Sequence, residues 1–178
     1  MVAGQDRRGA RLRRWCLGTT VAALAAGSAV ASATWCLGLG ALGPVRTGMT
    51  VEQVLRLADF VGMERSKPAE ECWYLHYRAR GSDFDLMIIE DRVVRIELKG
   101  DSRLHTFSGA RIGSTEQELR RLYRGLQVQP HKYDPDGQTL TFRAADGAYG
   151  LRFETSRHRV TAIQSGPWEH LNYVEGCS

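Results

Sequence analysis

Five histidines and several serines are the side chains of this 178-residue sequence that could ligate a metal or act as a catalytic base or nucleophile. No two histidines have the spacing that places both on one helical face, and no two cysteines lie two to four residues apart. No nucleophile-elbow context surrounds Ser108, Ser114 or Ser165. The pattern predicts no enzyme site, no metal and no cofactor. The histidines are His76, His105, His131, His158 and His170.

The formal charge of +4 is concentrated at the N-terminus. Five arginines and one acidic residue precede residue 34, and the remaining chain has equal numbers of basic and acidic residues. A nucleic-acid-binding protein concentrates positive charge on its folded part. We therefore do not expect nucleic acid as a partner.

A basic segment followed by an alanine-rich apolar segment opens the chain, and "ASA" at 31–33 matches a small-x-small cleavage site. We predict that residues 1–33 are a signal peptide cleaved after Ala33, which gives a periplasmic or secreted protein that is not held in the membrane. The competing interpretation is an uncleaved anchor, because apolar residues continue from Trp35 to Leu42. Two Arg-Arg pairs leave both the Sec and the twin-arginine export routes open.

Three of the four cysteines follow the predicted cleavage site, namely Cys36, Cys72 and Cys177. In an exported protein the expected use of cysteine is a disulfide. The spacing alone does not fix the pairing. We predict a Cys72–Cys177 disulfide, because the C-terminal tail needs an attachment to be ordered. Cys36 is then the remaining thiol.

Two stretches of the chain nearly repeat each other, "VRTGMTVEQVLRLADF" at 45–60 and "ARIGSTEQELRRLYRG" at 110–125. Thr50 and Thr115 occupy equivalent N-cap positions, and Gln53 and Glu118 follow each of them by three residues, so both stretches predict a helix with a capping box. The correspondence continues through "LHYRARGSDFDLMII" and "LTFRAADGAYGLRFE" at the same offset of 65. After an insertion of two residues, "RVVRI" matches "RVTAI".

Each copy predicts one helix followed by three strands with period-two alternation. The predicted fold is therefore α+β, with two tandem helix-plus-three-strand antiparallel repeats and the helices on one face of the sheet. Residues 34–109 form the first predicted repeat. Residues 110–178 form the second repeat with a C-terminal tail.

Alternation along the predicted strands separates two faces. The alternate residues on one side of the predicted strands are apolar and include Leu86, Val94 and Ile163, so we expect this set to form the core against the helices. The residues on the other side are rich in aromatic, Arg and Met side chains, which are common at protein interfaces. We predict an exposed protein-binding band on this second face. Its residues are Tyr74, His76, Arg78, Met87, Arg95, Arg143 and Arg152.

The string "GPVRTGMTVEQVLRLA", followed by three strands and repeated, resembles the β-lactamase-inhibitor-protein-like superfamily, which also includes the small lipoprotein of the outer-membrane assembly machine. The resemblance spans roughly residues 43–167. It implies a non-catalytic binding protein, inhibitor-like or an envelope accessory factor, whose partner is another exported or envelope protein.

Two other functions stay open on the sequence. An exported hydrolase, or a protein that binds a small ligand or carbohydrate, could have a site that no motif reveals. An enzyme needs polar groups converging in a concave pocket, whereas a protein-binding module needs a broad surface. The three-dimensional arrangement of the polar side chains therefore bears directly on the function.

Overall fold

The computed structural model describes residues 35–57, 63–66, 72–78 and 82–177. The predicted signal peptide and its cleavage site lie outside these residues. Among the described residues, no helix has both the length and the apolar character needed to cross a membrane.

The described chain consists of twelve strands and three short helices. In chain order they are β1 (Cys36–Gly38), β2 (Ala41–Leu42), β3 (Val45–Arg46), α1 (Val51–Leu55), β4 (Glu64–Arg65), β5 (Cys72–Tyr77), β6 (Phe84–Ile89), β7 (Arg92–Lys99), β8 (His105–Thr106), α2 (Glu116–Leu122), β9 (Gln127–Pro130), β10 (Gln138–Arg143), β11 (Tyr149–Ser156), β12 (Arg159–Pro167) and α3 (Trp168–Leu171).

Eight of the strands form one antiparallel sheet in the order β4-β5-β6-β7-β12-β11-β10-β9. The central pair is β7 and β12, and Ile163 lies opposite Leu98 in their ladder. From this pair the strands follow one another outward to an edge on each side, β4 on one and β9 on the other. Both predicted sets of strands therefore belong to a single sheet.

A second, four-stranded sheet has the order β3-β2-β1-β8, with β1 and β8 parallel. It is built largely from the apolar segment after residue 34, and Leu37, Leu42 and Val45 are fully or almost fully buried. The hydroxyl of Ser165 in β12 joins the two sheets: it donates to the carbonyl of Gly38 at 2.5 Å and accepts from the amide of Gly40 at 2.8 Å. This apolar segment is therefore part of the folded core.

The predicted capping boxes are confirmed at both helices. The hydroxyl of Thr50 accepts from the Gln53 amide at 3.2 Å, and the Gln53 side chain accepts from the Thr50 amide at 2.9 Å. The corresponding distances between Thr115 and Glu118 are 3.1 Å and 2.7 Å. Each box satisfies amide groups that the first turn of a helix leaves without partners. The caps fix where α1 and α2 begin.

The alternation correctly identified most of the core. Leu86, Ile96 and Ile163 are fully buried between the large sheet and the layer formed by α1, α2 and the small sheet. Val94 is an exception. The register of β6 and β7 shifts between Met87 and Ile88, so β7 carries a bulge that buries Val93 instead.

The predicted α+β class is wrong, because the described chain is mostly β. The helices α1 and α2 are only five and seven residues long, and short strands precede each meander. The predicted placement of all helices on one face is also wrong, since α3 contacts β7, β11 and β12 on the face away from the main core. The sequence pattern indicated where α1 and α2 begin, but it did not indicate that they end after only two turns or fewer. The predicted division at residue 110 stays a prediction.

Because of the bulge in β7, two neighbouring valines differ in burial. We expect Val93→Ala to lower the free energy of unfolding by roughly 2 kcal/mol through lost burial and a cavity. The same change at half-buried Val94 is expected to cost under about 1 kcal/mol. Urea unfolding of the two variants checks this. Equal losses, or a larger loss at Val94, would contradict the register.

Candidate functional site

The predicted binding band lies on one face of the large sheet, which we call the outer face. Tyr74, Met87 and Arg95 are consecutive partners across β5, β6 and β7. His76 and Arg152 lie in the neighbouring row, which runs His76, Asp85, Glu97, Gln164 and Arg152 across five strands. Arg143 lies on the same face at β10, and Arg78 directly follows β5. The structure therefore brings the predicted residues together on one face.

The chain's own C-terminal segment, residues 168–177, covers the middle of the outer face. It begins with α3 and ends at Cys177, which forms the predicted disulfide with Cys72 in β5. Gly150 and Gly166 are paired across β11 and β12 beneath it. A Cβ atom at Gly150 would lie 2.9 Å from the Trp168 ring. The absence of a side chain at Gly150 therefore leaves room for Trp168 and Leu171 of the tail.

Arg95 is the polar centre of the contact between sheet and tail, and it is only 1% exposed. Its Nε and Nη2 donate to one carboxylate oxygen of Glu97 at 2.8 and 2.6 Å. Its Nη1 donates to the carbonyl oxygens of His170 and Tyr173 in the tail, at 3.1 and 2.8 Å. A buried guanidinium needs this many acceptors to offset its desolvation. Arg95 therefore connects the sheet to the tail and does not offer its guanidinium to a partner.

Tyr74 completes the same cluster. Its hydroxyl donates to Glu97 at 3.0 Å and accepts from Arg95 at 3.2 Å. Burial, together with the negative charge of Glu97, raises the pKa of Tyr74 to about 12. The phenol is thus held in its neutral form.

The predicted exposure of Met87, Arg95 and Arg152 is wrong, because all three are buried, and Arg95 and Arg152 donate hydrogen bonds to the tail. Arg152 donates from Nη1 to the carbonyl of Leu171 at 3.3 Å and lies 3.4 Å from Glu154. Burial lowers the pKa of Arg152 from its ordinary value. Alternation assigns a strand residue to a face, but it does not show whether another segment covers that face.

A second charged cluster surrounds Asp85, whose side chain is completely buried. His76, Arg78 and Lys99 place nitrogens 2.7, 2.6 and 2.5 Å from its carboxylate. Burial raises the pKa of Asp85, but the hydrogen bonds from Lys99 and His76 outweigh it, and the net pKa is below its ordinary value. This arrangement is an ion-pair network that neutralises a buried carboxylate, so His76 and Arg78 have structural partners.

Arg143 is the other exposed member of the predicted band. Its Nε donates to the carbonyl of Gly147 at 2.9 Å, and its guanidinium lies 4.7 Å from the ring centre of Trp168 in α3. This stacking on an aromatic face is a favourable cation–π contact. Arg143 therefore stabilises the start of the tail through its contact with Trp168.

The layer on the other side of the large sheet exposes several apolar side chains, including Leu55 in α1, which is 53% exposed. Two of them, which the sequence pattern did not single out, lie on neighbouring segments of the small sheet. Phe107, which follows β8, is 63% exposed, and Leu39, between β1 and β2, is 42% exposed. The Phe107 ring lies against Gly38, where a Cβ atom would be only 2.8 Å away. The Phe107 amide also donates to the carbonyl of Leu37 at 3.0 Å. We call Leu39 and Phe107 the apolar patch.

Within the described ranges, no group of three or more His, Cys, Asp or Glu side chains is arranged to hold a metal ion. The carboxylates closest to histidines, Asp85 and Glu116, are each engaged in side-chain contacts within the fold. Cys36 is buried, with its sulfur 3.9 Å from Nε2 of His105.

Comparison with known proteins gives no match to a protein-family model or to a curated protein. Among solved structures, an extracellular protein containing an SCP domain from Bacillus anthracis str. Ames matches with a TM-score of 0.45 and 9% identity, over 68% of this chain and 44% of that chain. A cysteine-rich secretory protein from Staphylococcus aureus subsp. aureus Mu50 matches with a TM-score of 0.43 and 11% identity, over 74% and 53%. The chain spans about half the length of these proteins.

The resemblance to the β-lactamase-inhibitor-protein-like superfamily is corrected by these comparisons. The structures that match are SCP-domain and cysteine-rich secretory proteins, and no family model supports the superfamily. The motif that carried the resemblance is a glycine-led turn into a capping box. Such a turn is a general solution for starting a helix, so it does not identify a family. The inhibitor-like role that the resemblance implied is not supported.

The raised pKa of Tyr74 predicts a specific loss of stability at high pH. Because folding favours the neutral phenol, its contribution is complete below about pH 10 and disappears as pH rises through about 12. We expect the parent to lose up to about 2 kcal/mol more than Tyr74→Phe over this range, a value reduced for the partial exposure of the ring. Denaturant unfolding from pH 8 to 12 measures it. Identical pH slopes for the two proteins would contradict the environment described for Tyr74.

Proposed function

We propose that this chain is an exported, non-catalytic protein that binds another exported or envelope protein through the layer that carries the apolar patch. The observation that carries the proposal is the 63% exposure of Phe107 on a fixed backbone. Leaving a phenylalanine in water forgoes about 1.5–3 kcal/mol of burial free energy. A partner that covers the ring would recover this energy.

The rigidity of the patch favours binding. The amide of Phe107 donates to the carbonyl of Leu37 and its ring lies against Gly38, so both its backbone and one side of its ring have contacts before a partner arrives. Association then costs less side-chain entropy. Large apolar anchors in such positions commonly dominate protein interfaces.

Export is supported by two independent features. The leader has the charge and apolar pattern of a signal peptide, and the Cys72–Cys177 disulfide suits an oxidising compartment. Periplasmic and secreted locations both fit these features. The non-catalytic character is supported by the charged clusters, since Asp85 and Glu97 are bound within ion-pair networks that fasten the fold.

The outer face contributes less to this proposal than the sequence suggested. Arg78 and Arg143 remain exposed there, but each has partners within the chain. A protein-binding role for them stays a prediction, and they offer a competing surface for the experiment. If they form the interface, their removal and not that of the patch will abolish binding.

The proposal predicts that Leu39→Ala with Phe107→Ala weakens partner capture by roughly tenfold or more, because two anchors are lost. The immobilised protein would be exposed to the exported protein fraction, and bound proteins quantified by mass spectrometry. Both positions are exposed, so the unfolding midpoint should change little.

Two controls make the result specific. Val128→Thr alters an exposed apolar residue on the edge strand β9 and should leave capture unchanged. Arg78→Ala with Arg143→Ala tests the outer face. A partner retained by the patch variant but lost by the arginine variant would place the interface on the outer face and contradict the proposal.

A further inference from the structure

An open groove of about 650 Å³ runs beside α2. Three arginines from different elements line it: Arg111 in the loop before α2, Arg121 on α2, and Arg159 at the start of β12. Ile112 and Leu122 provide an apolar wall, and Leu122 is 39% exposed. The groove therefore combines guanidinium groups with an accessible apolar surface.

The charge in the groove is unbalanced. Glu118 is the one carboxylate among the lining residues, and it is already engaged in the capping box with the amide of Thr115. The hydrogen bond from Thr115, helped by the charges of Arg111 and Arg159, keeps the pKa of Glu118 below its ordinary value. With Glu118 ionised, three arginines face one negative charge.

The helix α1 shows how this charge could have been neutralised. Arg56, which directly follows α1, forms an ion pair at 2.6 Å with Glu52, four residues earlier. On α2, the residue four positions before Arg121 is Gln117, which carries no charge. Among the described residues, neither Arg111 nor Arg121 has a carboxylate within ion-pair distance. Two guanidinium groups of the groove are thus available to an external anion.

We propose that this groove binds an acidic peptide segment of the partner protein, with carboxylates on Arg111 and Arg121 and an apolar side chain against Leu122. Arginine pairs with carboxylates through charge-assisted hydrogen bonds. The apolar wall favours a peptide over a phosphate group, which would leave Leu122 uncovered. The site does not depend on the amides at the start of α2, because the capping box uses them.

The groove lies next to the apolar patch along the chain, and the inference rests on the proposed function. Gly109 lines the groove and is only two residues from Phe107, so their backbones are within about 7 Å. One partner could contact both surfaces. The patch would supply apolar burial, and the groove would supply charge complementarity and orientation.

The test measures binding of a fluorescein-labelled peptide of alternating Glu and Leu to the full protein by fluorescence anisotropy. We expect saturable binding that weakens as salt is added. Arg111→Ala with Arg121→Ala should reduce affinity by roughly tenfold or more. Gln117→Glu should reduce it by roughly twofold to threefold, because it gives Arg121 a partner on its own helix.

Arg56→Ala is the matched control, since it removes the equivalent arginine at the end of α1 and should leave peptide affinity unchanged. Circular dichroism of each variant checks that the fold is retained. Equal binding of a Lys–Leu peptide, no binding of the Glu–Leu peptide, or unchanged affinity in the double arginine variant would overturn the inference. So would arginine-dependent binding to phosphatidylglycerol vesicles without binding to the acidic peptide.

The two proposals fail separately. If the acidic peptide does not bind but partner capture depends on Phe107, the groove is not the acidic-peptide site and the proposed function stands. If the peptide binds through Arg121 but capture is independent of Phe107, the patch is not the interface and the groove inference stands alone.

Discussion

The burial of Arg95 beneath the C-terminal tail is the constraint on which the outer face depends. A guanidinium this deeply buried is costly unless all its donors find acceptors. Glu97 supplies the countercharge, but two further acceptors are tail carbonyls, those of His170 and Tyr173. The ion pair is therefore complete only when the tail is seated. The disulfide at Cys177 holds the end of that tail against the sheet.

Because the tail covers the middle of the outer face, the opposite layer is the surface that we propose for a partner. On the outer face, charged side chains form ion pairs within the chain. One group of pairs surrounds Arg95 in the centre, and the other surrounds Asp85 to one side. The opposite layer buries its apolar residues against the core but leaves Phe107 and Leu39 exposed beside an arginine-lined groove. Exposed apolar groups next to unpaired charge are suited to recognising another protein. Under the proposed function, the outer face stabilises the fold and the opposite layer binds the partner.

Local features of the fold were predictable because their causes are local. Thr50 and Thr115 are followed three residues later by side chains that can complete a capping box, and alternation assigned Leu86 to the core. The covering of Arg95 was not predictable, since it depends on a segment 75 residues away. Gly150 was the available signal, because a glycine inside a strand often marks a close approach by another segment. The fold class was missed because short strands carry little periodic pattern.

Hydroxyl-radical footprinting of the free protein tests the covering of the outer face most directly. Met87 is 1% exposed and lies between Tyr74 and Arg95 on the outer face, whereas Met63 is partly exposed, and methionine sulfur is readily oxidised wherever it is accessible. We expect Met87 to be oxidised far more slowly than Met63, while Phe107 is modified at an early stage. Oxidation of Met87 as fast as Met63 in the folded, disulfide-bonded protein would contradict it, because the outer face would then be open.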